Sequence, residues 1–110
     1  MAAPVVRVSI LRCAPEKFEQ IRNMMIEADP VLRSGIEAMP GLIAFYAGAD
    51  EATSSLTNVS IWIDLAAAKQ LDTYEPMLRL GRTFVDAGVT FERPIMNYST
   101  LWEAAPAARS

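Results

Sequence analysis

The sequence predicts an α+β fold, an antiparallel sheet with helices on one face, and three observations carry that expectation. Residues 56 to 65, Leu-Thr-Asn-Val-Ser-Ile-Trp-Ile-Asp-Leu, alternate between two unlike faces, as the side chains of a strand do. Apolar residues between Phe18 and Leu32 recur instead at three- and four-residue spacing, the period of a helix face. Prolines and glycines between such segments punctuate the chain into the order strand, helix, strand, strand, helix, strand.

Val5 to Arg12, rich in β-branched residues, reads as the first strand and ends at Ala14-Pro15. Pro15 suits the first turn of a helix, where its missing N–H is not needed. Phe18, Ile21, Met25, Ala28 and Leu32 make the apolar face of that helix. Pro30 lies inside the pattern, so the helix is expected to kink or stop near Asp29, with a second segment from about Val31 to Ala38. Met39-Pro40-Gly41 is a break, and Leu42 to Ala47 the second strand. Gly48 to Ser55 reads as a hairpin loop into the third strand.

Directly after that strand, Asp64 can cap a short helix that begins with Leu65 and three alanines and runs through Leu71. Pro76 opens a further helical segment carrying Met77, Leu78, Leu80, Phe84 and Val85, and Gly88 stops it. Val89 to Trp102 is expected as a long last strand broken at Pro94, and Glu103 to Ser110 as an alanine-rich, frayed tail.

At 110 residues the chain is expected to be one domain, residues 1–110, with its core at about 4–102. Apolar residues make up 52% and charged residues 21%, which leaves little polar surface for a small monomer. A homodimer that hides apolar area in its partner is therefore expected. The net charge of −3, with Arg7, Arg12, Arg22, Arg33, Arg79, Arg82 and Arg93 scattered, argues against a nucleic-acid partner, which needs a basic stripe. No apolar run is as long as a membrane span, and Met-Ala-Ala-Pro-Val lacks the regions of a signal peptide. With one cysteine, Cys13, no internal disulfide can form, and a soluble cytoplasmic protein is expected. The absence of histidine removes the usual proton shuttle, the usual zinc ligand and the commonest haem ligand. Ser-His-Asp and Cys-His catalysis are excluded with it.

The element order, with a hairpin between two split halves, is the ferredoxin-like βαββαβ plan. It leaves one sheet face bare, and Val59, Ile61 and Ile63 lie on that face if Trp62 looks toward the helices. Two sheets packed face to face would bury it and close a barrel between subunits. The sequence thus resembles the dimeric α+β barrel superfamily, and within it the antibiotic-biosynthesis-monooxygenase-like group. The residues that carry the resemblance are Met39-Pro40-Gly41-Leu42, entering the second strand, and Ser60-Ile61-Trp62-Ile63-Asp64, followed by Ala66-Ala67-Ala68.

The resemblance implies a flat substrate held in a cleft between helices and sheet. The activities it suggests are cofactor-free oxidation of polycyclic phenols to quinones, degradation of haem, or isomerisation of small ring compounds. For the monooxygenases it implies an Asn and a Trp on the third strand, which Asn58 and Trp62 match in type and spacing. It also implies an arginine and a tyrosine from the helical region that follows. Arg82 matches the arginine; Ala66, Ala67 and Ala68 occupy the region expected for the tyrosine, and Tyr74 stands further along. The haem branch holds iron through a histidine, which this chain does not have.

An electron-rich phenolate can pass an electron to oxygen without a metal or cofactor. The protein must then hold it flat and stabilise negative charge, with the Asn58 amide, the Trp62 indole N–H and Arg82 as candidate donors. Tyr46, Ser60 and Tyr74 are candidate substrate-binding residues. Each has a plainer reading. Trp62 fits a core residue sealing helix to sheet. Asn58 could pair with a neighbouring strand or a water, Arg82 could pair with Asp86 at the surface, and Tyr46 and Tyr98 could pack at a dimer edge. Met24, Met25, Met77 and Met96 suit an adaptable pocket or an ordinary core. Cys13 lacks a basic neighbour that would make it reactive. The alternative to an enzyme is a non-catalytic ligand-binding or stress-related homodimer whose cleft is filled by its own side chains. What separates the two readings is whether the Trp62 face encloses an empty cavity with Asn58 and Arg82 converging in it, and the enzyme reading fails if side chains of the first helix fill that volume.

Overall fold

β1 (Val5–Arg12), β2 (Leu42–Asp50) and β3 (Ser55–Trp62) form the body of one antiparallel sheet. Two short strands, β4 (Thr90–Phe91) and β5 (Met96–Ser99), pair with opposite ends of β1. The order across the sheet is β2, β3, β1, β4, with β5 also on β1, which is the ferredoxin-like arrangement. The computed structural model describes residues 3–107; Met1, Ala2 and the last three residues of the alanine-rich tail lie outside the described residues.

The last strand is broken as expected: after the Glu92 N–H donates to the Ile10 carbonyl at 2.9 Å, residues 93–95, with Pro94, leave the ladder because proline brings no donor to it. It also ends earlier than expected, at Ser99, where β1 runs out of residues to pair, so Leu101 and Trp102 stand exposed beyond it. β2 is longer than expected and reaches Asp50, which shortens the hairpin to β3.

Three helices cover one face of the sheet: α1 (Phe18–Glu37), α2 (Leu65–Ala68) and α3 (Glu75–Asp86). A single turn of tighter helix, Pro15–Lys17, leads into α1. α1 does not stop at Asp29 but continues through Pro30. Proline there removes one rung of the ladder and leaves the Ile26 carbonyl without its helical donor. Phe18, Ile21, Ala28, Leu32 and Ile36 nevertheless keep one buried stripe on both sides of it, and that packing holds the helix together. Asp64 caps α2 as expected, its carboxylate accepting from the Ala67 amide at 2.8 Å. α3 gives way to Gly88 at φ +102°, a conformation that favours glycine.

Strand parity is as expected as far as Trp62, where β3 ends; Ile63, expected on the outer face, lies beyond the strand. Leu56, Ser60 and Trp62 are buried under the helices, whereas Thr57, Val59 and Ile61 face away. On that outer face Val6, Val8, Ile10, Val59 and Ile61 are half-buried, and Tyr46, Met96 and Tyr98 are exposed.

The core beneath the helices is in two parts. One surrounds Trp62, with Val5, Ala28, Leu32, Ile36, Ala68 and Leu71. The other joins Leu11, Phe18, Ile21, Leu56, Phe84 and Val89. Pairing register explains the division. Two adjacent rows of the inner sheet face are polar, Ser60–Arg7–Asn97 and Asn58–Ser9, and they lie between the Trp62–Val5 and Leu56–Leu11 rows.

Candidate functional site

Two clefts open between helices and sheet, one on each side of this polar band. The first, about 570 Å³, runs between α1 and β2 and has Asn58 among its lining residues. Its walls are mostly apolar, with Met25, Leu32, Ile36, Leu42, Phe45 and Leu56, and such a volume suits a small organic molecule. The second, about 600 Å³, lies between α3 and β1 and includes Arg7, Ser9, Arg82 and Arg93. The two linings share no residue.

Asn58 is half-buried where β3 passes under α1. Its Oδ1 is enclosed and has no hydrogen-bond partner. A buried acceptor left unpaired costs about 1–3 kcal/mol, so such a group calls for a reason.

Around the same cleft four charged side chains of α1 stand at the rim: Arg22, Asp29, Arg33 and Glu37. Arg33 grips Asp29 with both arms of its fork, Nε to Oδ1 at 2.6 Å and Nη2 to Oδ2 at 2.8 Å. Those hydrogen bonds hold the Asp29 carboxyl below its ordinary value and raise the Arg33 guanidinium further. Asp29 is thereby a poor proton acceptor.

Trp62 lines neither cleft. It is fully buried in the core, and its indole N–H donates to Ser60 Oγ at 2.8 Å. Both candidates are thus satisfied by each other. Tyr74 donates its hydroxyl to the Leu32 carbonyl at 3.2 Å and packs so closely on Gly35 that a Cβ there would lie 2.0 Å from its oxygen. Tyr46 points out from the opposite face of the sheet, 62% exposed, because its place in β2 pairs with Val59 rather than with Asn58 or Ser60.

Arg82 is exposed on α3 and pairs with Glu75 at 3.3 Å rather than with Asp86. It faces the second cleft, so Asn58 and Arg82 do not converge in one cavity. Of the six residues singled out from sequence, only Asn58 lies on the first cleft and only Arg82 on the second.

Sequence reasoning missed Arg7. It is 5% exposed on the inner face of β1, and its Nη2 donates to Asp72 Oδ1 at 2.5 Å. A signal was present: in Val5-Val6-Arg7-Val8, the arginine shares its parity with Val5 and Leu11, the buried side of the strand. Cys13 donates to the Ser54 carbonyl at 3.6 Å, and burial, then Glu16, raise its thiol above the ordinary value, which fits an unreactive side chain. Among the described residues no group of three or more Cys, Asp or Glu is placed to hold a metal ion. No described helix is long and apolar enough to cross a membrane.

No protein-family model matches the sequence, and no curated protein matches it. Solved structures do match in fold. A protein from Nitrosomonas europaea described as a candidate antibiotic biosynthesis monooxygenase superposes with a TM-score of 0.70 at 12% identity, over 96% of this chain and 97% of its own. Rv0793 of Mycobacterium tuberculosis gives 0.67 at 16% identity, over 94% and 100%. SnoaB of Streptomyces nogalater, described as a cofactor-independent oxygenase, gives 0.61 at 19% identity, over 96% and 99%. The chain therefore carries, along nearly its whole length, the ferredoxin-like α+β fold of these structures.

Proposed function

We propose that this chain is a cofactor-independent monooxygenase that binds a flat phenolic molecule in the α1–β2 cleft. The observation that carries the reading is the half-buried Asn58 amide, its Oδ1 without a hydrogen-bond partner, on the wall of a mostly apolar cleft of about 570 Å³. The likeness in fold to SnoaB supports the reaction type. In this reading the substrate, as phenolate, supplies the electrons. One oxygen atom of O₂ enters the ring, the other leaves as water, and the phenol becomes a quinone. Asn58 Nδ2 donates to the ring oxygen and stabilises its charge against the apolar wall that α1 supplies. Asp29 is tied to Arg33, which leaves Glu37 as the carboxylate at the rim free to take the phenolic proton.

The chain's homodimer belongs to the same proposal. Val6, Val8, Ile10, Val59 and Ile61, flanked by exposed Tyr46, Met96 and Tyr98, make an apolar outer face that a second sheet would cover. A light-scattering mass of one chain would overturn that part without touching the cleft.

The reaction is tested by oxygen uptake with hydroxylated anthracenes and naphthalenes. Quinone should form in air and not under nitrogen, and Asn58→Ala should lose it; product formed without oxygen overturns the oxygenase reading. A specific observation favours a second reading, a non-catalytic ligand-binding dimer. Trp62 is sealed in the core and Arg82 faces another cleft, so two of the three candidate catalytic groups do not reach Asn58. Ligand binding that depends on Asn58, without turnover in air, would establish this second reading.

A further inference from the structure

The inner face of the sheet is expected to be apolar, yet its two middle rows carry Ser60, Arg7, Asn97, Asn58 and Ser9. The Asn58 end of the band opens on the first cleft. The Arg7 end opens on the second, and the proposed function makes no use of it.

Arg7 is the most deeply buried charged side chain among the described residues, 5% exposed, and is held by a single contact to Asp72. A buried ion pair seldom stabilises a fold more than well-packed apolar residues would, so Arg7 is poorly explained as a structural device. Its pairing is also incomplete. Arg33 closes its fork on both oxygens of Asp29, whereas Arg7 uses Nη2 alone, and its partner Asp72 is half exposed. The other Arg7 donors make no hydrogen bond among the described residues, and the side chain lines the cleft. Across β1 from Arg7, Asn97 has a buried Oδ1 that is unpaired as well.

The lining of this cleft adds Arg82 and Arg93 to Arg7, against two carboxylates, Asp72 and Asp86. Arg82 is already paired with Glu75, which leaves Arg7 and Arg93 as the positive groups facing those carboxylates. The remaining walls are apolar, among them Met77, Leu78, Val85, Phe91 and Ile95, with the Arg93 guanidinium 5.3 Å from the centre of the Phe91 ring.

We propose that the α3–β1 cleft is a second ligand site, for a flat aromatic monoanion whose carboxylate takes the free donors of Arg7. An arginine fork matches a carboxylate in shape and charge, and the apolar walls take the ring. Asp72 is then a competitor: it occupies one arm of Arg7 when the ligand is away, and the ligand's carboxylate must share or displace it. The site does not depend on the oxygenase reading, because its residues lie apart from Asn58.

The test is calorimetric titration of the full chain with 2-naphthoate and with its neutral counterpart, 2-naphthylmethanol. Naphthoate should bind about tenfold or more tightly than the alcohol, the usual size of one charge-assisted contact. Arg7→Met should abolish that preference. Asp72→Asn should strengthen naphthoate binding severalfold, and Asn58→Ala should leave it unchanged. If Arg7→Met fails to fold, as judged by its circular dichroism melt, Asp72→Asn and Arg93→Ala decide the matter. The proposal is overturned if acid and alcohol bind alike or neither binds at millimolar concentration. It is overturned equally if Asp72→Asn leaves naphthoate binding unchanged or weakens it, or if Asn58→Ala removes it.

Discussion

Trp62 and Asn58 stand on the same face of the same strand, four residues apart, and meet opposite fates. Trp62 has no exposed surface and its only polar atom is bonded to Ser60. Asn58 is half-buried on the wall of a cleft, and the enclosed oxygen of its amide has no partner. Both were candidates for the same chemistry, and both are polar in part. What separates them is satisfaction: a side chain whose hydrogen-bonding capacity is met inside the fold has finished its task there, and one left wanting is open to a ligand. Arg7 and Arg33 repeat the contrast among charges, one held by a single contact in a cleft and the other closed on both oxygens of its partner at the rim.

The contrast is broken most severely at the satisfied end. Trp62→Ala should destabilise the fold by about 3–5 kcal/mol, the usual cost of emptying a large aromatic site in a core, read as a lower urea midpoint. A small loss would mean that the Trp62 cluster is not the packed core. Next in size is Ser60→Ala, which strands the buried indole N–H and should cost about 1–3 kcal/mol. An unchanged midpoint would show that this hydrogen bond is not what fixes the tryptophan.

At the unsatisfied end the sign changes. Asn58→Leu removes an unpaired amide and should alter stability by no more than about 1 kcal/mol, with a gain as acceptable as a small loss. A loss of several kcal/mol would show that Asn58 is a structural residue after all, and the cleft would lose its main claim.

The smallest effect is expected at the rim. Asp29 has its pKa lowered in the folded chain by Arg33, so its stabilising contribution is present above the ordinary carboxylate value and fades as pH falls through the lowered one. Asp29→Asn should therefore melt slightly below wild type at neutral pH, and the difference should vanish in acid. It should shrink in high salt too, since both groups are exposed. A difference that grows in acid would contradict the pairing.

Much of the fold was legible because it rests on local rules. The alternation from Leu56 to Trp62, the Asp64 cap and the stop at Gly88 each depend on a few neighbouring residues, and each stands where expected. Pro30 was misjudged because its cost is local whereas the buried stripe that outweighs it runs the length of α1. The site was less legible for a related reason. Asn58 and Arg82 are separated by the rotation of α3 about its axis and by which side of α1 each cleft opens on, and neither is written in spacing. For Tyr46 the sequence left both the cleft and a dimer edge open, because only the pairing of β2 with β3 fixes its register against Val59.

The continuity of α1 through Pro30 carries a mechanical consequence. The wall of the first cleft is a single rod from Arg22 to Glu37, and its weakest rung falls at mid-length, opposite β2. A rod with one missing rung yields there before it yields at its ends, which are anchored by Phe18 and Ile21 in one part of the core and by Ile36 in the other. A bend of this rod is therefore expected first at residues 26–30, where only Ala28 ties it to the core, rather than at either end.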